Sequence, residues 1–122
     1  MVKSHLKVED MQTIANKVQL IGHLGMDPEV KNFENGNLVK VSIATDASYK
    51  DKEGKKVEDT HWHNLVAWGK TADLAEKMFK KGKKVAIEGT LISRSYDDKE
   101  GVKRYITEVR VDQFLMLDKK ES

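Results

Sequence analysis

The chain contains no cysteine. That absence excludes disulfide staples, thiol nucleophiles, cysteine zinc sites and iron–sulfur ligation together, and it is compatible with a reducing compartment. Proline is nearly absent too: Pro28 is the single one, and without an N–H it cannot continue a strand ladder, so it marks a strand's end. No apolar run approaches the roughly 18 residues that a spanning helix needs. The first residues carry Lys3, Lys7, Glu9, Asp10 and Lys17 around no apolar stretch, which excludes a secretory signal there. Charge of one sign is lacking as well. Twenty-two Lys and Arg stand against 20 Asp and Glu, a net +2, so global charge does not announce a polyanionic partner and only local placement of cations could. Internal repeats and low-complexity segments are missing.

What remains is 122 residues, 39% of them hydrophobic: one domain with one small core. From Asn16 to Leu24, the residues Val18, Leu20, Gly22 and Leu24 share a parity, the period of a strand. Asn35-Gly36 is a hairpin-type signal, leading into a second strand at Leu38–Thr45 with Val39, Val41 and Ile43 on one face. The segment from Tyr49 to Asp59 is a long charged excursion, and a third strand runs from Thr60 to Trp68. The period then changes. Leu74, Ala75, Met78 and Phe79 form the stripe of an amphipathic helix over 70–81, which Gly82 suits as a left-handed stop. Strand four starts at Val85, with Ile87, Gly89 and Leu91 in phase, and strand five covers Tyr105 to about Met116. An all-β chain of five strands, with one short helix between the third and fourth, has the plan of an OB-fold barrel. An SH3-like barrel would lack the helix, and a ferredoxin-like fold would need two.

Catalytic patterns are not found. Gly69-Lys70-Thr71 resembles the end of a phosphate loop, but that motif needs glycine where Asn64 stands. His61 and His63 point to one face of their strand without a supporting third ligand, so they read as packing or subunit-contact histidines. Neither a nucleophilic triad nor a dinucleotide fingerprint occurs, and the chain reads as a non-enzyme with no cofactor and no metal.

Trp62 and Trp68 share a parity on strand three with Asn64 and Val66, while His61, His63, Leu65 and Ala67 take the other. If the second set fills a barrel, both indoles face water, which needs a reason; by residue type alone the opposite assignment is as good. Cations weigh toward the first. Lys40 lies out of phase with the apolar face of its strand, Arg94 and Tyr96 share the outward parity of strand four with Lys84 and Ile92, Lys50, Lys52, Lys55 and Lys56 surround Tyr49, and Lys70, Lys80, Lys81 and Lys83 flank the helix. Aromatics interleaved with cations suit an unpaired nucleic-acid strand, whose bases stack on rings while Lys and Arg follow its phosphates.

Several stretches resemble bacterial single-stranded DNA-binding proteins: the run from Asn16 to Val30, with Gly22-His23-Leu24-Gly25-Met26-Asp27-Pro28-Glu29 at its centre, then Trp62 to Lys70, Lys81-Gly82, Ile87 to Leu91, and Arg104 to Val109. Their order and spacing from about Asn16 to Leu117 are specific jointly. The resemblance implies an OB fold, sequence-tolerant binding and protection of single-stranded DNA in replication, recombination and repair, a homotetramer, and a bacterial cytoplasmic, nucleoid-associated setting. It places stacking on Tyr49, Trp62, Trp68 and Tyr96, with basic contacts at Lys17, Lys70, Lys81 and Arg94; Lys40 and Asn64 join them on the same strand faces. Tyr49 and Tyr96 stand where Trp is frequent and Trp68 where Phe is, so stacking is kept, but Ile92 replaces a common basic residue.

The expected organisation is an arm or added leader at 1–15, the binding domain at 16–117, and a short remnant at 118–122. The sequence stops at Asp118-Lys119-Lys120-Glu121-Ser122 without that family's acidic tip, as a tailless or a truncated member would, so tail-dependent repair and replication partners are not expected from this chain. Strand one and the face of strand three that holds His63 are the expected subunit contact. The alternatives are an OB-fold RNA-binding module and a structural or protein-interaction barrel.

Overall fold

The computed structural model describes residues 14–118; most of the arm and the last four residues of the expected remnant lie outside that range. The elements are β1 (Val18–Leu24), β2 (Glu29–Phe33), β3 (Gly36–Asp46), β4 (Tyr49–Lys50), β5 (Lys56–Val57), β6 (Thr60–Trp68), α1 (Gly69–Met78), β7 (Lys84–Asp97) and β8 (Lys103–Met116). The main sheet runs β1-β7-β8-β6-β3-β2, and a further β1–β3 pairing makes β1, β7, β8, β6 and β3 a closed ring. Closure rests on His23 opposite Ala44 and Leu24 opposite Ile43. The β6–β8 contact is parallel, with Leu65 beside Val109, and the other ring contacts are antiparallel. The five strands expected from the sequence are the five of this ring, an OB-type barrel. β2 is added at the edge of β3 through the Asn35-Gly36 hairpin, and the charged excursion contains a two-strand hairpin, β4–β5.

Period-2 parity explains the core. Val39, Val41 and Ile43 of β3, Leu65 and Ala67 of β6, Val85 and Ile87 of β7, and Val109 and Val111 of β8 converge with Leu24. Burying each large aliphatic side chain contributes about 1.5–3 kcal/mol. Leu65 and Ala67 are 1% exposed, which decides the open question on β6: this face is the inside. The same fact corrects the β6 part of the expected subunit contact, because these side chains already pack within their own barrel, and leaves only the β1 part as an expectation. His63 is half-buried there with its Nε2 3.3 Å from Thr45 Oγ1.

Three further expectations are corrected. The helix ends at Met78, with Phe79 extended, and Gly82 (φ +88°) sits instead in the following turn, where the Lys83 N–H donates to the Lys80 carbonyl at 3.1 Å. The buried helix face is Ala72, Ala75 and Phe79 rather than the stripe through Leu74 and Met78, both of which are exposed. Small residues let α1 lie close on β3 and β6, and Phe79 meets Phe114 with ring centroids 4.6 Å apart. Leu91, in phase with the core, is exposed. Past Gly89 strand β7 has outrun β1, whose first paired residue is Val18, and the Asn16 amide closes that edge by donating to the Leu91 carbonyl and accepting from its N–H, both at 2.9 Å.

Candidate nucleic-acid interface

Because Leu65 and Ala67 turn inward, the alternate residues of β6 turn outward: Trp62 is 61% and Trp68 49% exposed. The β3 register sets Ala44 beside Trp62, Ser42 beside Asn64, Lys40 beside Val66 and Leu38 beside Trp68. Six residue steps along the strand separate the indoles, roughly 20 Å at the usual rise. Around Trp68 a shallow groove is lined by Leu38, Lys40, Val66, Ile92, Arg94 and Glu108, so strands β3, β6, β7 and β8 all contribute to its floor. One cation on each side of the indole, Lys40 and Arg94, makes this the part of the expected site that the fold brings together most closely.

Arg94 is held rather than free. Its Nε donates to Glu108 Oε1 at 2.8 Å, from a guanidinium side chain 45% exposed to a carboxylate side chain 5% exposed. The hydrogen bond and the charge of Glu108 raise the arginine's pKa further above its already high value. The tether uses Nε, and the two terminal nitrogens of a guanidinium are the pair that a bidentate phosphate contact can use.

At the other end of β6, Trp62 lies over Gly25 and close to Ser42. Tyr49, exposed, begins the β4–β5 hairpin opposite Val57. Asp51 organises that hairpin by accepting the N–H groups of Glu53 and Lys55 at 2.9 Å, and at its base Asp46 takes the Ser48 N–H. The hydrogen bonds from Ser48 hold the Asp46 carboxyl below the usual carboxylate range. Tyr96, also exposed, lies near the β7–β8 turn opposite Arg104. There Asp98 accepts the Val102 and Glu100 N–H groups and Arg104 Nε, all at 2.9 Å. Its carboxyl is held low, first by the Val102 N–H and then by Arg104. The two tyrosines therefore stand on separate hairpins, each with its own polar turn.

The remaining cations are dispersed. Lys70 is exposed in the first turn of α1, and Lys81 is exposed in the turn after it, its N–H donating to Asp27 Oδ1 at 2.9 Å. Lys17 is not in the groove. It pairs with Glu88 at 3.1 Å, on a different outer surface shared with Gln19, Ile21 and Gln113. Among the described residues no group of three or more His, Asp or Glu could hold a metal. Two residues of the face escaped sequence reasoning. Glu108 reads as a solvated charge until the β7 register brings Arg94 to it. Phe33 lies on the strand not foreseen, although a hairpin turn at Asn35-Gly36 requires a strand on both sides.

A closed OB-type barrel with exposed rings and flanking cations on one outer face defines a class: small barrels built to hold an extended, charged chain by stacking and ion pairing. The comparisons with known proteins are specific. Residues 15–117 match the model of the "Single-strand binding protein family". The chain is 48% identical over 109 residues to single-stranded DNA-binding protein 1 of Chlorobaculum tepidum, covering 88% of this chain and 67% of that protein. It is 45% identical over 108 residues to the protein of the same name from Xylella fastidiosa, covering 87% and 79%. Its fold is similar to that of the Plasmodium falciparum SSB in complex with ssDNA, at TM-score 0.75 and 28% identity, over 84% of this chain and 95% of that one. A deletion mutant of the single-stranded DNA-binding protein from Thermus aquaticus superposes at TM-score 0.72 and 25% identity, over 84% and 50%. The chain belongs to the single-strand binding protein family.

Proposed function

We propose that this protein binds and protects single-stranded DNA without base-sequence preference, in replication, recombination and repair, and that it does so as a non-catalytic homotetramer in the bacterial cytoplasm. The observation that carries the reading is the pair of exposed indoles on the outer face of β6, with Asn64 between them and Lys40 and Arg94 beside Trp68. Unpaired bases stack on Trp62 and Trp68, and further along the strand's path on Tyr49 and Tyr96. Lys40, Lys70, Lys81 and Arg94 neutralise phosphates, and Asn64 supplies an adaptable amide. Lys17 takes part only by exchanging Glu88 for a phosphate. A ring accepts any base on its face, which makes the binding tolerant of sequence.

Support for assembly comes from a second outer face, where Ile21 of β1 and Leu115 of β8 are exposed beside Ala86. An apolar patch of this kind on a small barrel favours self-association, and two-fold symmetry buries it on both partners at once. Fluorescence titration with poly(dT) tests the binding reading. Two indoles stacked on bases are strongly quenched; unchanged emission at saturating poly(dT) contradicts it.

A further inference from the structure

Strand β2 contributes one aromatic residue, and nothing in the resemblance or in the pairing of β6 assigns it a role. We propose that Phe33 is a further base-stacking residue, which carries the single-stranded DNA path from Trp68 over the edge of the sheet. The proposal rests on the reading of this outer face as a single-stranded DNA surface, and adds one contact to it.

Register places the ring. Phe33 pairs with Gly36, Lys31 with Leu38 and Glu29 with Lys40, while Leu38 pairs with Trp68. Antiparallel partners project to the same side of a sheet, so Phe33, Lys31, Leu38 and Trp68 share the outer face. The opposite face of β2 does the structural work: Val30 packs against the core, and Phe33 does not. A phenyl ring 50% exposed on an edge strand has no polar tip to justify its contact with water. Its aromatic neighbour is Trp68, with centroids 6.0 Å apart and planes tilted by 34°, and that indole is half-exposed itself. The partner directly opposite, Gly36, has no side chain to fence the ring. Two residues away on the same face stands Lys31, exposed and placed for a phosphate. Phe33 and Lys31 on β2, beside the Trp68 ring on β6, thus repeat the arrangement of Trp68 with Lys40.

The test measures binding of the full chain to an oligo(dT) across a salt series, for wild type and for Phe33→Ala, Phe33→Leu and Phe33→Tyr. Stacking predicts that Ala and Leu both weaken binding by about tenfold at every salt concentration, without a change of slope, while Tyr stays within about twofold. A second measurement needs no variant: photo-cross-linking of the wild-type protein to an oligonucleotide carrying 5-iododeoxyuridine yields an adduct on the peptide that contains Phe33. Full affinity of Phe33→Leu would show an apolar prop for Trp68 and overturn the proposal. Unchanged binding by Phe33→Ala, or adducts at Trp68 with none at Phe33, would overturn it as well. In each of these cases the wild type still binds; a wild type that fails to bind the oligonucleotide overturns instead the reading of the whole face.

Discussion

The six-membered edge of the Trp62 indole rests on Gly25: a β-carbon there would lie 2.3 Å from Cζ3 and 2.9 Å from both Cη2 and Ser42 Oγ. The glycine lets the edge of an exposed ring approach the turn after β1 closely, which places the ring without burying it. Gly25→Ala therefore lifts the ring. Because the indole is free to move outward, the expected change is loss of single-stranded DNA affinity by several-fold with altered tryptophan emission and little change in Tm. Equal losses of stability and binding would show that Trp62 belongs to the core.

Arg94 and Glu108 yield a different pattern. Arg94→Leu leaves a nearly buried carboxylate without its partner, at a cost of about 1–3 kcal/mol of unfolding free energy. Water reaches the arginine's side of the pair, which keeps the loss below that of a fully buried bridge. Replacing both, Arg94→Leu with Glu108→Leu, restores much of the stability but not the DNA affinity. Urea unfolding of the two variants checks this; a double variant no more stable than the single one contradicts it.

Lys17 and Glu88 make a pH-dependent contribution to stability. The hydrogen bond from Lys17, then that from Gln113, holds the Glu88 carboxyl below its ordinary range. A carboxyl depressed in the folded state stabilises the fold above the ordinary carboxylate pKa, and the contribution is lost as pH falls through the depressed one. Lys17→Ala is accordingly destabilising near neutrality, and its effect shrinks as the pH drops through and below the carboxylate range. Thermal unfolding at a series of pH values measures it, and an effect that grows toward acid pH would contradict the sign. Because Lys17 is already paired, the same substitution changes the salt dependence of DNA binding less than Lys40→Ala does.

Assembly is checked at the other outer face. Leu115→Glu places a charge in the apolar patch with Ile21 and is expected to convert the tetramer to smaller species in sedimentation equilibrium while leaving the barrel folded. A wild type that sediments as a dilution-stable monomer would exclude the assembly altogether.

The parity of Val39, Val41 and Ile43, and of Leu65 and Ala67, was legible because a barrel strand has one dry face and one wet face, a difference that period-2 patterning records directly. The two sides of β6 were not separable by residue type, since Trp and His tolerate either; the neighbouring cations and the family resemblance favoured the exposed assignment. β2 gives little apolar signal because an edge strand pairs on one side and only partly buries one residue, Val30. The buried face of α1 departs from the apolar stripe at Leu74 and Met78 for a related reason: which face is buried depends on the barrel beneath the helix, not on the helix itself. Burial of Glu108 is set by a partner 14 residues away in sequence, and no local pattern encodes that.

Salt separates stacking on unpaired bases from simple attraction to phosphate on this face. Each phosphate contact adds about −0.7 to the log–log slope of affinity against salt for a single strand, whereas stacking adds nothing. Binding to matched single- and double-stranded oligonucleotides across a salt series, for wild type and Trp62→Ala, is the direct measurement. Base stacking predicts far weaker binding to the duplex, which hides its base faces, and for Trp62→Ala a loss of about five- to 150-fold at every salt concentration with the slope kept. Equal affinity for the two forms, or a Trp62→Ala protein altered only in slope, would contradict it.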